Sequence, residues 1–128
     1  MTLIEKIENK NTEIQSVRFN NKDTLAIKVN IPKKLEELIR LIKSIESGNR
    51  EFKYWVKDNS ISLLEESIRQ CKKCYNPSRI NSVSILFLKT TIDKCKELVV
   101  EAVKNLYSTA EFFEVNISGH LEKEISVQ

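Results

Sequence analysis

Residues 62–107 read SLLEESIRQCKKCYNPSRINSVSILFLKTTIDKCKELVVEAVKNLY, and the fold turns on how this stretch divides. Ile61, Leu64, Ile68, Cys71 and Tyr75 recur at spacings of three and four, the period of one helical face. Ser62-x-x-Glu65 supplies a capping box for that helix. Asn76-Pro77-Ser78 breaks it, because proline pushes its predecessor out of helical geometry and suits the first turn of a new helix. From about Arg79 a second seam follows: Ile85, Leu88, Ile92, Cys95, Val99, Ala102 and Leu106 hold the same spacing over three heptads. The stretch therefore reads as a long antiparallel helical hairpin over about 61–107, turning near residue 77. Leu63 and Phe87 lie off the main seams and widen the apolar faces. A hairpin apolar on more than one stripe needs a further helix or a second subunit to cover it.

Outward from the hairpin the pattern is mixed. Thr2-x-x-Glu5 opens a short first helix on which Leu3, Ile4 and Ile7 are apolar. Residues 14–19 and 25–31 flank the turn-like Asn20-Asn21-Lys22-Asp23, and Leu25, Ile27, Val29 and Ile31 alternate as in a half-buried strand. Pro32 then starts a helix over 33–47, with Leu35, Leu38, Ile42 and Ile45 on one stripe and Gly48 placed as its C-terminal cap. Residues 51–57 (EFKYWVK) fit either period and are read as helix, with Phe52, Trp55 and Val56 on one face. Tyr54 would then point away from them, suited to an interface. After the hairpin, Phe113, Val115 and Ile117, then Leu121, Lys123, Ile125 and Val127, return to period two across Ser118-Gly119-His120. The expectation is an α+β single domain spanning 1–128. It consists of a helical bundle centred on the long hairpin, covered by a small antiparallel sheet from β-hairpins at about 13–31 and 111–127.

Composition bounds the class. With 128 residues, 41% apolar and 30% charged, the chain has enough length for one hydrophobic core. The charged N-terminus lacks a signal-peptide pattern, and no window approaches the ~18 apolar residues of a membrane span. Three cysteines with no secretion signal fit a reducing cytoplasm. The expectation is a cytoplasmic protein with no membrane association.

Net charge is only +3, but it is unevenly spread. Between residues 67 and 92 there is no Asp or Glu, while Arg69, Lys72, Lys73, Arg79 and Lys89 make that window +5. Glu65 and Glu66 can pair with Arg69 at helical spacing. Lys72, Lys73 and Arg79 gather at the expected turn with no acid nearby and with Tyr75 and Asn76 as polar neighbours, and Lys89 lies about two turns further along the next helix. Such a corner suits an acidic protein surface or phosphates.

Metal and redox chemistry are weighed at the same corner. Cys71, Cys74, Cys95 and His120 are the residue types of a zinc set. With the turn at 77, Cys71 faces about position 84, leaving Cys95 roughly 16 Å further along at ~1.5 Å per residue. Sulfurs sharing one zinc ion must come within about 4 Å of one another. The Cys71-x-x-Cys74 pair ends its helix, where the macrodipole opposes a thiolate, unlike a thioredoxin-type site. Neither a metal nor a cofactor is expected.

Catalytic patterns are also missing. Only His120 is available for acid–base work near neutrality, and the two glycines, Gly48 and Gly119, form neither a nucleophile elbow nor a phosphate loop. The expected function is non-enzymatic: an interaction or assembly protein, with a protein partner or a second copy bound at the basic corner Arg69, Lys72, Lys73, Tyr75, Asn76, Arg79 and Lys89. The alternative is a nucleic-acid-binding accessory subunit or DNA-associated regulator using the same residues.

Overall fold

A computed structural model describes residues 2–17, 29–73 and 82–117, with the side chains of 82–85 left aside. Five α-helices follow in order: α1 (Leu3–Gln15), α2 (Ile31–Lys43), α3 (Arg50–Val56), α4 (Ser62–Lys73) and α5 (Ser82–Phe112). A single π-helical turn, Lys57–Ile61, joins α3 to α4, so Arg50 to Lys73 is one helical rod with a wide turn inside it. There is no strand among the described residues, and the fold is all-helical.

This corrects the α+β expectation. In the first arm, Ile14 is a buried residue of α1, which runs to Gln15 and ends on Ser16. Leu3, Ile7 and Ile14 then share one face, and that long-range helical stripe outweighs the local strand-like start at 14. At the other edge of the same expected hairpin, Ile31 is the buried first residue of α2. Residues 18–28 lie outside the described residues. In the C-terminal arm, 111–112 end α5 and 113–114 form its cap. The backbone N–H of Val115 donates to Ala110 O at 2.8 Å, that of Glu114 to Glu111 O at 3.2 Å, and Glu114 takes a left-handed φ of 56°. These are the bonds of a Schellman cap, which period-two spacing of Phe113, Val115 and Ile117 happens to mimic. The rest of that expected hairpin, 118–127, also lies outside the described residues.

Three boundaries move as well. Thr2 Oγ1 accepts from the Glu5 backbone at 3.1 Å, so Thr2 caps the first helix as read. Ser62 caps nothing: the chain is already helical, and its hydroxyl donates to the Asp58 carbonyl. α2 ends at Lys43 with Ser44 as its cap, ahead of Gly48. On α3, Phe52 and Val56 are buried, whereas Trp55 stays half-exposed beside exposed Tyr54.

α5 is the spine. α4, the π turn, α3 and α1 all pack on it, while α2 bridges α1 and α4. Leu88, Ile92, Cys95, Val99, Ala102 and Leu106 are buried along α5, each large apolar residue contributing about 1.5–3 kcal/mol. α2 answers the question of the second apolar stripe: Leu35, Leu38 and Ile42 reach the core, and Leu63 is partly buried against it. The α1/α2 seam is bound by Lys10, which meets Glu13 at 2.8 Å and Glu37 at 2.7 Å, with Lys34 3.3 Å from Glu13. Hydrogen bonds to these carboxylates raise the Lys10 pKa, and the same contact lowers that of Glu13.

Candidate functional site: the α4/α5 hairpin

The register of the hairpin comes from a set of polar contacts made through small residues. Ser60, Leu64, Ser67 and Cys71 are all buried at 4-3-4 spacing, facing Cys95, Val99, Ala102 and Leu106. Small side chains let the helix backbones approach closely, because interaxial distance follows the size of the contacting residues. Ser60 Oγ thus donates to Ala102 O at 2.8 Å, and Ser67 Oγ to Cys95 O at 3.3 Å. The Cys95 thiol returns a hydrogen bond to Ser67 O at 3.5 Å. At the next turn Asn105 Nδ2 donates to Asn59 O at 2.8 Å. Every buried side-chain polar atom among the described residues is satisfied.

The serine pairs are symmetric about residue 81, not 77. Position 71 therefore lies level with about 91, and only one helical turn separates it from 95. Helical side chains lean toward their own N-terminus, so in antiparallel helices the two thiols lean toward each other and close that turn. Cys71 Sγ and Cys95 Sγ are 3.3 Å apart, both buried. This overturns the 16 Å separation expected from a turn at Pro77. The Cys71 thiol lowers the Cys95 pKa, burial opposes it, and Ser67 and the Lys94 charge add to the lowering.

Among the described residues, no group of three or more His, Cys, Asp or Glu side chains is placed to hold a metal. Cys74 and His120, considered with Cys71 and Cys95 as zinc ligands, lie outside the described residues.

The described residues include part of the basic corner. Arg69 is exposed and committed to Glu66, with Nη2 2.6 Å and Nε 2.8 Å from Glu66 Oε2. Gln70 donates to the other Glu66 oxygen at 2.8 Å. Hydrogen bonds from Gln70 and then Arg69 lower the Glu66 pKa, with the charges of Arg69 and Lys73 adding to the effect. Lys72, Lys73 and Lys89 are exposed and form no ion pair among the described residues. The register about 81 places positions 73 and 89 level on the two helices. Tyr75, Asn76 and Arg79 lie outside the described residues.

Two residues at this end were not anticipated as part of the site. Leu86, about one helical turn before Lys89, is 65% exposed, and Phe87 is 56% exposed. Their main chains are occupied, since Thr90 and Thr91 hydroxyls donate back to Leu86 O and Phe87 O at 2.8 and 2.9 Å. The signal in the sequence was Phe87 lying off the seam; Leu63, also off it, is partly buried against the core, whereas Phe87 is exposed.

A concavity of about 250 Å³ lies where the end of α2 meets α3 and the π turn. Its walls are Ile42, Ile45, Phe52, Val56 and Ile61, and Lys43, Lys53, Lys57 and Glu65 ring its mouth. No described helix is long and apolar enough to cross a membrane. No protein-family profile, curated protein or solved structure matches the chain.

Proposed function

We propose that this chain is a non-enzymatic interaction protein that docks an acidic, amphipathic protein segment on the end of its α4/α5 hairpin where α4 ends and α5 begins. The observation that carries the reading is the pairing of two exposed large apolar side chains, Leu86 and Phe87, with Lys72, Lys73 and Lys89 at one end of the molecule. Apolar anchors within a cationic rim match a partner whose apolar face is flanked by carboxylates. Phosphates alone would leave Leu86 unused, which favours protein over nucleic acid. Arg69 contributes less to this surface, because Glu66 already neutralises it.

Capture from a native extract, compared with Leu86→Asp/Phe87→Asp and with Lys72→Glu/Lys73→Glu/Lys89→Glu, tests this. The expected result is one protein retained by the wild type, lost with both variants and bound again as a purified pair. Self-association seen by light scattering and abolished by Leu86→Asp/Phe87→Asp would identify the partner as a second copy. Salt-sensitive binding of DNA or RNA, lost with the lysine variant but kept by Leu86→Asp/Phe87→Asp, would replace the proposal with the nucleic-acid reading.

A further inference from the structure

The buried thiols of α4 and α5 are not used by the contact surface, and their placement points to chemistry of their own. A disulfide needs sulfurs about 2.05 Å apart. Cys71 Sγ and Cys95 Sγ, at 3.3 Å, are little more than about 1 Å from that distance. Their backbones are already held together one turn away by the reciprocal Ser67–Cys95 contacts, so bonding them requires no change of register.

We propose that Cys71 and Cys95 are a site of reversible oxidation, at which hydrogen peroxide closes a disulfide between α4 and α5. The Cys95 sulfur attacks one peroxide oxygen; the O–O bond breaks, and the departing oxygen leaves with a proton as water. The Cys71 sulfur then attacks the Cys95 sulfenic acid, forming the S–S bond and releasing the second oxygen as water. Two thiols give up two electrons, one peroxide gains them, and both thiol protons end in water. A dithiol reverses the bond by exchange through a mixed disulfide.

Burial of both sulfurs sets the rate. Peroxide reaches them only through local opening of the hairpin, so the reaction is slow and selective for a small oxidant. The bond encloses 23 residues, among them Lys72, Lys73, Leu86, Phe87 and Lys89. Constraining that loop in the unfolded chain raises the melting temperature by about 10 °C.

The test is peroxide treatment of the intact folded chain, alkylation of remaining thiols, and peptide mapping without reduction. The expected product joins the Cys71 and Cys95 peptides, is 2 Da lighter than its parts, melts higher and reverts with dithiothreitol. Cys74→Ser, which leaves both buried thiols in place, forms the same bond. A Cys71–Cys74 or Cys74–Cys95 bond as the main product would overturn the proposal. So would sulfinic acid accumulating on Cys71 or Cys95 without a crosslink, or no change at either thiol under conditions that oxidise both in urea.

Discussion

The two ends of one helical hairpin are built to opposite rules. Toward the π turn, α4 and α5 meet through Ser60, Ser67, Cys95 and Ala102, and side chains bond to the main chain of the facing helix. Toward the end where α4 stops and α5 starts, the same helices leave Leu86 and Phe87 in water, with Lys72, Lys73 and Lys89 exposed at the same end. The 3-4 periodicity is shared; the size of the residues on it is not. Small polar residues on the seam bring helices close and lock their register, whereas large apolar residues off the seam stay exposed unless another element covers them. The core reaches Leu63 but not Phe87. The buried polar locks therefore lie at one end and the proposed contact surface at the other.

The largest effect belongs to the locked end. Leu106 is fully buried, so Leu106→Ala should cost about 2–5 kcal/mol in urea denaturation. A cost below about 1 kcal/mol would mean that α5 is not packed as described. Ser60→Ala and Ser67→Ala each remove a buried side-chain-to-main-chain bond and should cost about 1 kcal/mol. Were either neutral while Ser62→Ala was costly, the register about residue 81 would be wrong.

Smaller changes sharpen the far end of α5. Glu114 occupies the left-handed cap position that favours glycine, so Glu114→Gly should gain about 0.5–1 kcal/mol. A loss would show that the Schellman cap does not form in solution. The Tyr107 hydroxyl donates to Glu8 at 3.0 Å, and burial, then the Glu8 hydrogen bond and charge, raise its pKa to about 12. The folded state thus holds the phenol proton more tightly than the unfolded chain, whose tyrosine titrates near ~10. That contribution is fully present below about pH 10 and is lost as pH rises toward about 12. Melting curves for wild type and Tyr107→Phe should converge across that window. Parallel curves would place Tyr107 away from Glu8.

Much of the helical seam was legible in the sequence, and the sheet was not there to be read among the described residues. Leu88, Ile92, Cys95, Val99, Ala102 and Leu106 are buried as their spacing requires. The apparent strands misled because short apolar runs at helix ends alternate too: Ile14 and Ile31 belong to helices, and Phe113 and Val115 flank a cap. Pro77 drew the expected turn to itself, although the pairing of two helices is set by what fits between them. Ser60 and Ser67 carried that information at 3-4 spacing with Leu64 and Cys71, but serines are read as surface unless their partners are known. Moving the centre from 77 to 81 brought two cysteines that had looked remote into contact. Of the basic corner, the sequence identified Lys72, Lys73 and Lys89 as cations without a close acid, and it overlooked Leu86. The Arg69–Glu66 pair was anticipated from helical spacing.

One comparison tests the division of labour most directly: urea unfolding and partner capture measured side by side for Leu86→Ala/Phe87→Ala. The residues are exposed, so the double variant should change stability by no more than about 0.5 kcal/mol while partner capture is lost. A destabilisation matching that of Leu106→Ala, or capture undiminished at unchanged stability, would contradict the proposal that the contact surface lies where α4 ends and α5 begins.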